Sequence, residues 1–100
     1  MTVQESPIIN RRNKTIEFSI QHGCAHHISL TGSFNHWAQD VLLLEPGSNG
    51  TWKIEIPMLP QGKYYYKFFI DDQVWVEDVD NPWREPDGRS GWNSVLVVEN

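Results

Sequence analysis

Residues 63–76 read Lys63-Tyr64-Tyr65-Tyr66-Lys67-Phe68-Phe69-Ile70-Asp71-Asp72-Gln73-Val74-Trp75-Val76. Aromatic and β-branched side chains fill the first eight positions, which makes them the strongest strand of the chain by β propensity. Asp71-Asp72 has the composition of a tight two-residue hairpin loop, and Gln73 to Val76 is the returning strand. Side chains alternate along a strand, so Tyr64, Tyr66, Phe68 and Ile70 share one face. That face reads as core. Tyr65, Lys67, Phe69 and Asp71 share the other, which mixes a cation, aromatics and an acid and reads as a surface facing solvent or a ligand.

The same period of two runs outward in both directions, and no segment has helical periodicity. Thr15 to Gln21 places Ile16, Phe18 and Ile20 on one face. Ala25 to Thr31 pairs Ile28 with Leu30. Val41 to Leu44 is a short apolar strand, closed by the turn formers Glu45-Pro46-Gly47-Ser48-Asn49-Gly50. Thr51 to Ile56 turns Trp52, Ile54 and Ile56 inward, and Pro57 and Pro60-Gln61-Gly62 break it off. A polar loop fills 77–91, and Asn93 to Val98 is the last strand. About seven short strands at this spacing predict an all-β fold, an immunoglobulin-like β-sandwich of antiparallel strands. Residues 1–14 are expected to be an N-terminal lead-in and residues 15–100 the sandwich.

One hundred residues suit one domain. The net charge of −5 argues against a nucleic-acid partner, which calls for a basic patch. No apolar run approaches the roughly 18 residues of a membrane span. The opening residues lack a signal peptide's basic and apolar regions. The single cysteine, Cys24, cannot close an internal disulfide. These features lead to the expectation of a soluble, cytoplasmic protein with no membrane or nucleic-acid partner.

The aromatic residues are the unusual feature: five Trp, three Tyr and four Phe. In Thr31-Gly32-Ser33-Phe34-Asn35-His36-Trp37 a turn ends on the largest apolar side chain, although turns usually run over the surface. Trp37, Trp75, Trp83 and Trp92 all lie in or beside expected loops, whereas the alternation of Trp52 with Ile54 and Ile56 makes it core. A pyranose offers apolar C–H faces that stack on indole and a rim of hydroxyls that bonds to Lys, Asn or Asp. Binding sites combine apolar walls with a few placed polar groups in this way. For Lys67 alone, composition favours the ordinary fate of a strand lysine, solvation on an outer face.

The stretch LTGSFNHWAQDVLLLEPGSNGTWKIEIPMLPQGKYYYKFFIDDQVWVEDVDNP, with GWNSVLVV after it, resembles the family 48 carbohydrate-binding modules. These include the glycogen-binding domain of AMP-activated protein kinase β subunits and the N-terminal domains of branching and debranching enzymes. The resemblance runs from about Ile16 to Val98. It implies a non-catalytic module that binds α-glucans: glycogen, starch or maltooligosaccharides. In glycogen-binding members one tryptophan ends the G-x-F-N-x-W turn and another follows the Y-K-F strand; these fall on Trp37 and Trp75. The strand's lysine falls on Lys67, and the asparagine opening the last strand on Asn93. The resemblance thus implies that Trp37 and Trp75 stack on glucose while Lys67 and Asn93 bond to hydroxyls. The hairpin DDQVW is one residue longer than the family's common D-G-x-W, and a slip of one residue reverses a side chain's face. Trp83 and Trp92 match no position of that set.

Catalytic and metal chemistry have less support. His22 and His26 are spaced i, i+4, which suits a metal on a helix, and this region reads as a strand and its approach. Adjacent His26 and His27 point to opposite faces, and Cys24 lacks a second thiol. Asp71, Asp72, Glu77, Asp78 and Asp80 lie in turns and loops, with no cleft to hold the carboxylate pair a glycosidase uses. No enzyme activity, metal or cofactor is expected. The other reading is an interaction or scaffold domain whose aromatic surface docks on a glycan-active enzyme, a kinase or its own copy.

Overall fold

The structure of the chain, a computed structural model, describes residues 6–99; residues 1–5 of the expected lead-in, and residue 100, lie outside it. Ten strands run in chain order: β1 (Ile8–Asn10), β2 (Thr15–Gln21), β3 (Ile28–Gly32), β4 (Leu42–Leu43), β5 (Glu45–Pro46), β6 (Thr51–Pro57), β7 (Gly62–Ile70), β8 (Val74–Val76), β9 (Arg84–Pro86) and β10 (Trp92–Val98). They form two antiparallel sheets, one ordered β1-β2-β6-β5 and the other β4-β3-β7-β10-β9, with β8 also paired to β7. This is the expected sandwich. No described helix is long and apolar enough to cross a membrane.

The core lies between the inward faces. Ile16, Phe18, Ile20, Trp52 and Ile56 come from the first sheet; Ile28, Leu30, Tyr66, Phe68, Ile70, Leu96 and Val98 come from the second. Burying side chains of this size contributes about 1.5–3 kcal/mol each. Phe18 meets Tyr66 edge to face at 4.9 Å, tying one sheet to the other. Trp52 is core as expected, its indole N–H donating to the His22 carbonyl at 3.1 Å.

Three strands lie where none was expected. Ile8–Asn10, within the expected lead-in, pairs with Thr15–Glu17 at the edge of the first sheet. Glu45–Pro46 and Arg84–Pro86 lie in segments that read as turn and loop, yet they pair with β6 and β10. Each is a two- or three-residue edge strand, where proline's missing N–H is tolerated because no further strand needs it. The apolar run 41–44 and its continuation switch sheets. Leu42–Leu43 pairs with β3, Glu45–Pro46 pairs with β6, and Leu44 between them is buried in the core.

β7 is the hub of the second sheet. One edge pairs with β3 from Tyr66 to Ile70; the other pairs with β10 from Gly62 to Tyr66 and with β8 from Phe68 to Ile70. Lys67 therefore sits at the junction of β10 and β8, on the sheet's outer face. That face is not all open, contrary to the sequence reading: Phe69 is buried.

Candidate functional site: an aromatic cavity on the outer sheet face

The Trp37 turn is wound by its own side chains. Gly32 approaches β7 so closely that a Cβ there would stand 2.5 Å from the Tyr65 carbonyl oxygen. Ser33 Oγ accepts the Tyr65 N–H at 3.0 Å, and Asn35 Oδ1 accepts the Gly32 N–H at 3.0 Å. Phe34 turns inward against Tyr64 and Phe18, each at 6.2 Å. Ser33–Asn35 makes a single 3₁₀ turn, after which His36 and Trp37 both take positive φ, 57° and 58°. A bulky residue rarely adopts that conformation. Here the Trp37 N–H bonds to the Gly32 carbonyl at 2.8 Å, closing the loop and leaving the indole 36% exposed.

Trp75 is placed by the β7–β8 hairpin. Asp71 and Asp72 have φ of 53° and 55°, the positive values that primed hairpin turns require, and the Gln73 N–H bonds to the Ile70 carbonyl at 3.0 Å. The loop nevertheless has three residues rather than the expected two, because Val74 also pairs with Ile70. Gln73 is thus an extra residue at the turn, outside the ladder. The register beyond it is Phe69 opposite Trp75, so Trp75 lies on the outer face with Lys67. Its ring stacks on Phe69 at 4.3 Å and 26°, which buries Phe69 and backs the indole. Trp37 meets Trp75 edge to face, 6.5 Å between centroids and inclined at 70°.

Lys67 is neither the solvated lysine that composition favours nor an isolated donor. Its Nζ donates to Asp87 Oδ2 at 2.7 Å, the two side chains being 17% and 13% exposed. Asp87 Oδ1 meanwhile accepts the backbone N–H groups of Arg89 at 2.7 Å and Gly91 at 3.0 Å. The Lys67 ammonium, aided by these amides, holds the Asp87 carboxyl down at about 2. Asn93 stands next to Ser94, the partner of Tyr66, and so lies on the Lys67 face. Its amide has no hydrogen-bond partner among the described residues.

These side chains line one open cavity of about 630 Å³: Trp37, Gln39, Lys67, Trp75, Asp87, Arg89 and Asn93. All four residues that the resemblance singled out are there together. Gln39, Asp87 and Arg89 were missed. Gln39 lies two residues from Trp37, which was a usable signal. Asp87 and Arg89 sit in a long polar loop whose path the residues do not disclose. Trp83 and Trp92 lie outside the lining. Trp92 is covered by the Arg84 guanidinium at 4.1 Å, and Arg84 pairs with Glu77 at 3.4 Å.

The histidines cluster differently from their spacing. His22 Nδ1 accepts the Cys24 N–H at 3.2 Å. His27 Nε2 lies 3.1 Å from Asp72 Oδ2 and 3.6 Å from Asp40 Oδ1. The three donor atoms fall within 4.8 Å of one another, near enough for a metal. The imidazole already faces both carboxylates, half exposed, and those contacts account for the cluster without a metal.

A rigid β-sandwich with aromatic rings, a cation and an amide gathered on one outer face is the architecture of a binding module. The chain matches the family described as the glycogen recognition site of AMP-activated protein kinase over residues 14–100, and it belongs to that family of non-catalytic carbohydrate-binding domains. It is similar to the 5'-AMP-activated protein kinase subunit beta-2 of Homo sapiens, 36% identical over 55 residues, which is 55% of this chain and 19% of that protein. The human subunit beta-1 is 38% identical over 60 residues, 60% of this chain and 20% of that protein. The matched segment is thus about a fifth of the length of these relatives. Among solved structures, the catalytic module of the glycogen-degrading pneumococcal virulence factor SpuA shares the fold with a TM-score of 0.71 at 18% identity, covering 98% of this chain and 17% of that one.

Proposed function

We propose that the cavity binds a run of α-linked glucose units of glycogen, starch or a maltooligosaccharide. Trp37 and Trp75 stack on pyranose faces, and Lys67 and Asn93 bond to hydroxyls. The observation that carries this reading is the exposed pair of indoles inclined at 70° beside a lysine and an amide on one cavity. An α-1,4 glucan is curved where a β-1,4 glucan is a flat ribbon, so two inclined rings suit the curved chain. Asp87 engages one N–H of Lys67 and leaves the others for sugar. The lone cysteine, Cys24, exposed and unpaired, fits a reducing cytoplasmic setting.

Titration of tryptophan fluorescence with maltoheptaose tests the reading. The wild type saturates, while Trp37→Ala and Trp75→Ala each weaken binding about thirtyfold or more, the scale of an aromatic anchor, with the β-type circular dichroism unchanged. Equal affinity for a cello-oligosaccharide, or full affinity in both variants, would overturn it. A second reading, protein docking, draws on Trp83 and Val79, which are 61% and 80% exposed outside the cavity. Gel filtration at rising concentration separates the two: self-association that Trp83→Ser abolishes while the glucan titration is unchanged favours docking.

A further inference from the structure

The two segments that carry the stacking indoles meet at a charged cluster outside the cavity lining, centred on His27. The His27 N–H donates to Asp71 Oδ1 at 2.9 Å, and the Asp71 N–H returns a bond to the His27 carbonyl at 2.9 Å. This fixes the entry of β3 to the tip of the β7–β8 hairpin. The side chain then reaches both ways. Its Nε2 faces Asp72, three residues before Trp75, and Asp40, three residues after Trp37. Asp40 and Asp72 have φ of 58° and 55°, so each sits in a tightly wound segment and displaces little without moving its neighbours. Asp72 hydrogen-bonds to Asp40 and raises its carboxyl above the ordinary value. Two acids brought this close repel unless a cation lies between them.

We propose that His27 is a positioning residue for the glucan platform, clasping the Trp37 loop to the Trp75 hairpin through Asp40 and Asp72, with the clasp tightened by its proton. The inference rests on the glucan reading above. The groups facing the imidazole are Asp71 and Asp72 of the hairpin, Asp40 of the Trp37 segment, and neighbouring His26, whose Nδ1 lies 3.8 Å from Asp71 Oδ2. A proton on the imidazole adds a charge-assisted contact to an acid on each of the two segments. Glucan affinity therefore rises as pH falls through the histidine range, from about 8 to about 5.5. It falls again at lower pH once the acids take protons, beginning with Asp40, whose carboxyl is raised.

The experiment has two readouts, both in EDTA. Maltoheptaose titrations at pH 5.5 and pH 8 measure affinity. The indole N–H resonances of Trp37 and Trp75, tracked by NMR without sugar over the same range, measure the clasp. The wild type binds about threefold more tightly at pH 5.5, the scale of a few partly exposed ion pairs, and both resonances titrate together. In His27→Gln the affinity is flat at the high-pH value and the resonances stand still. A double variant, Asp40→Asn with Asp72→Asn, gives the same result; asparagine keeps the positive φ at both sites. Flat wild-type affinity, or resonances that ignore the His27 substitution, would overturn the clasp. Resonances that titrate through His27 in a protein that binds no glucan at any pH would support the clasp and overturn the glucan reading instead. A pH effect appearing only when Zn²⁺ replaces EDTA would overturn the proton clasp in favour of a metal.

Discussion

Trp37 is exposed because the residues before it leave it no inward path. Phe34 takes the place in the core, Asn35 and Ser33 close the turn on its backbone and on β7, and the positive φ at 36 and 37 turns the indole out. The position that permits all of this is Gly32. A methyl there meets the Tyr65 carbonyl and the Phe34 ring, at 2.5 and 2.7 Å, and neither can yield freely. Gly32→Ala is therefore expected to cost about 1–3 kcal/mol of stability, as overpacking does. It should also push the turn off β7. Urea unfolding would show the loss, and the Trp37 contribution to maltoheptaose fluorescence would fall with it. A variant as stable as wild type would mean the close approach is relieved in solution.

At the scale of elements, the β7–β8 hairpin shows how an insertion is absorbed without turning a side chain over. Gln73 sits between the turn and the ladder, so deleting it leaves a two-residue loop with Val74 still opposite Ile70 and Trp75 still opposite Phe69. The deletion variant is expected to bind maltoheptaose within about twofold of wild type, because a two-residue primed turn suits this twist. Loss of binding would show that Gln73 sets the face. The 87–91 loop is the second element. Asp87 holds Lys67 with one oxygen and the loop's own amides with the other. Its folded carboxyl is depressed from 3.8 to about 2, so its contribution is fully present above about pH 4 and is lost as pH falls through about 2. Stability to urea should thus fall between those values in wild type, and Asp87→Ala should already show the weakened stability, with weaker retention on glycogen, at pH 7. Undiminished binding by Asp87→Ala would remove Asp87 from the site. These two elements also mark where sequence reading succeeds and fails. Strands β2, β6, β7 and β10 were legible because long alternating runs carry their own signal. β5 and β9 were not, since Pro46 and Pro86 imitate turn chemistry on edges where only pairing reveals a strand. Trp37, Lys67, Trp75 and Asn93 could be named from a family pattern. Asp87 could not, because its partner is 20 residues away and meets it only through the path of a loop.

At the scale of the molecule, the cavity on the outer face depends on a polar network behind it. The Tyr66 hydroxyl donates to Asp78 Oδ2 at 2.7 Å and accepts from Asn81 Nδ2 at 3.0 Å. Asn81 also donates to the Val95 carbonyl at 2.8 Å, and the Asp78 N–H bonds to Ser94 Oγ at 2.8 Å. These bonds pin the start of the 77–91 connection onto β7 and β10, so the far end, with Asp87 and Arg89, leaves from a fixed root. Burial raises the Tyr66 phenol far above its ordinary value, so it remains a neutral donor at every working pH; burial also raises Asp78. Tyr66 points to the core, while Lys67 beside it points to the cavity. Tyr66→Phe consequently takes one hydrogen bond each from buried Asp78 and Asn81 without touching the cavity lining. It should cost about 1–3 kcal/mol, which lowers Tm by roughly 5–15 °C in a domain of this size. Glucan affinity at 25 °C should stay within about twofold of wild type, because the fold remains populated when the loss is smaller than the total stability. A thermal melt by circular dichroism alongside a maltoheptaose titration checks both halves. An unchanged Tm would show that the network does not anchor the connection, and a large drop in affinity with an intact fold would show that the root of the loop moves with it.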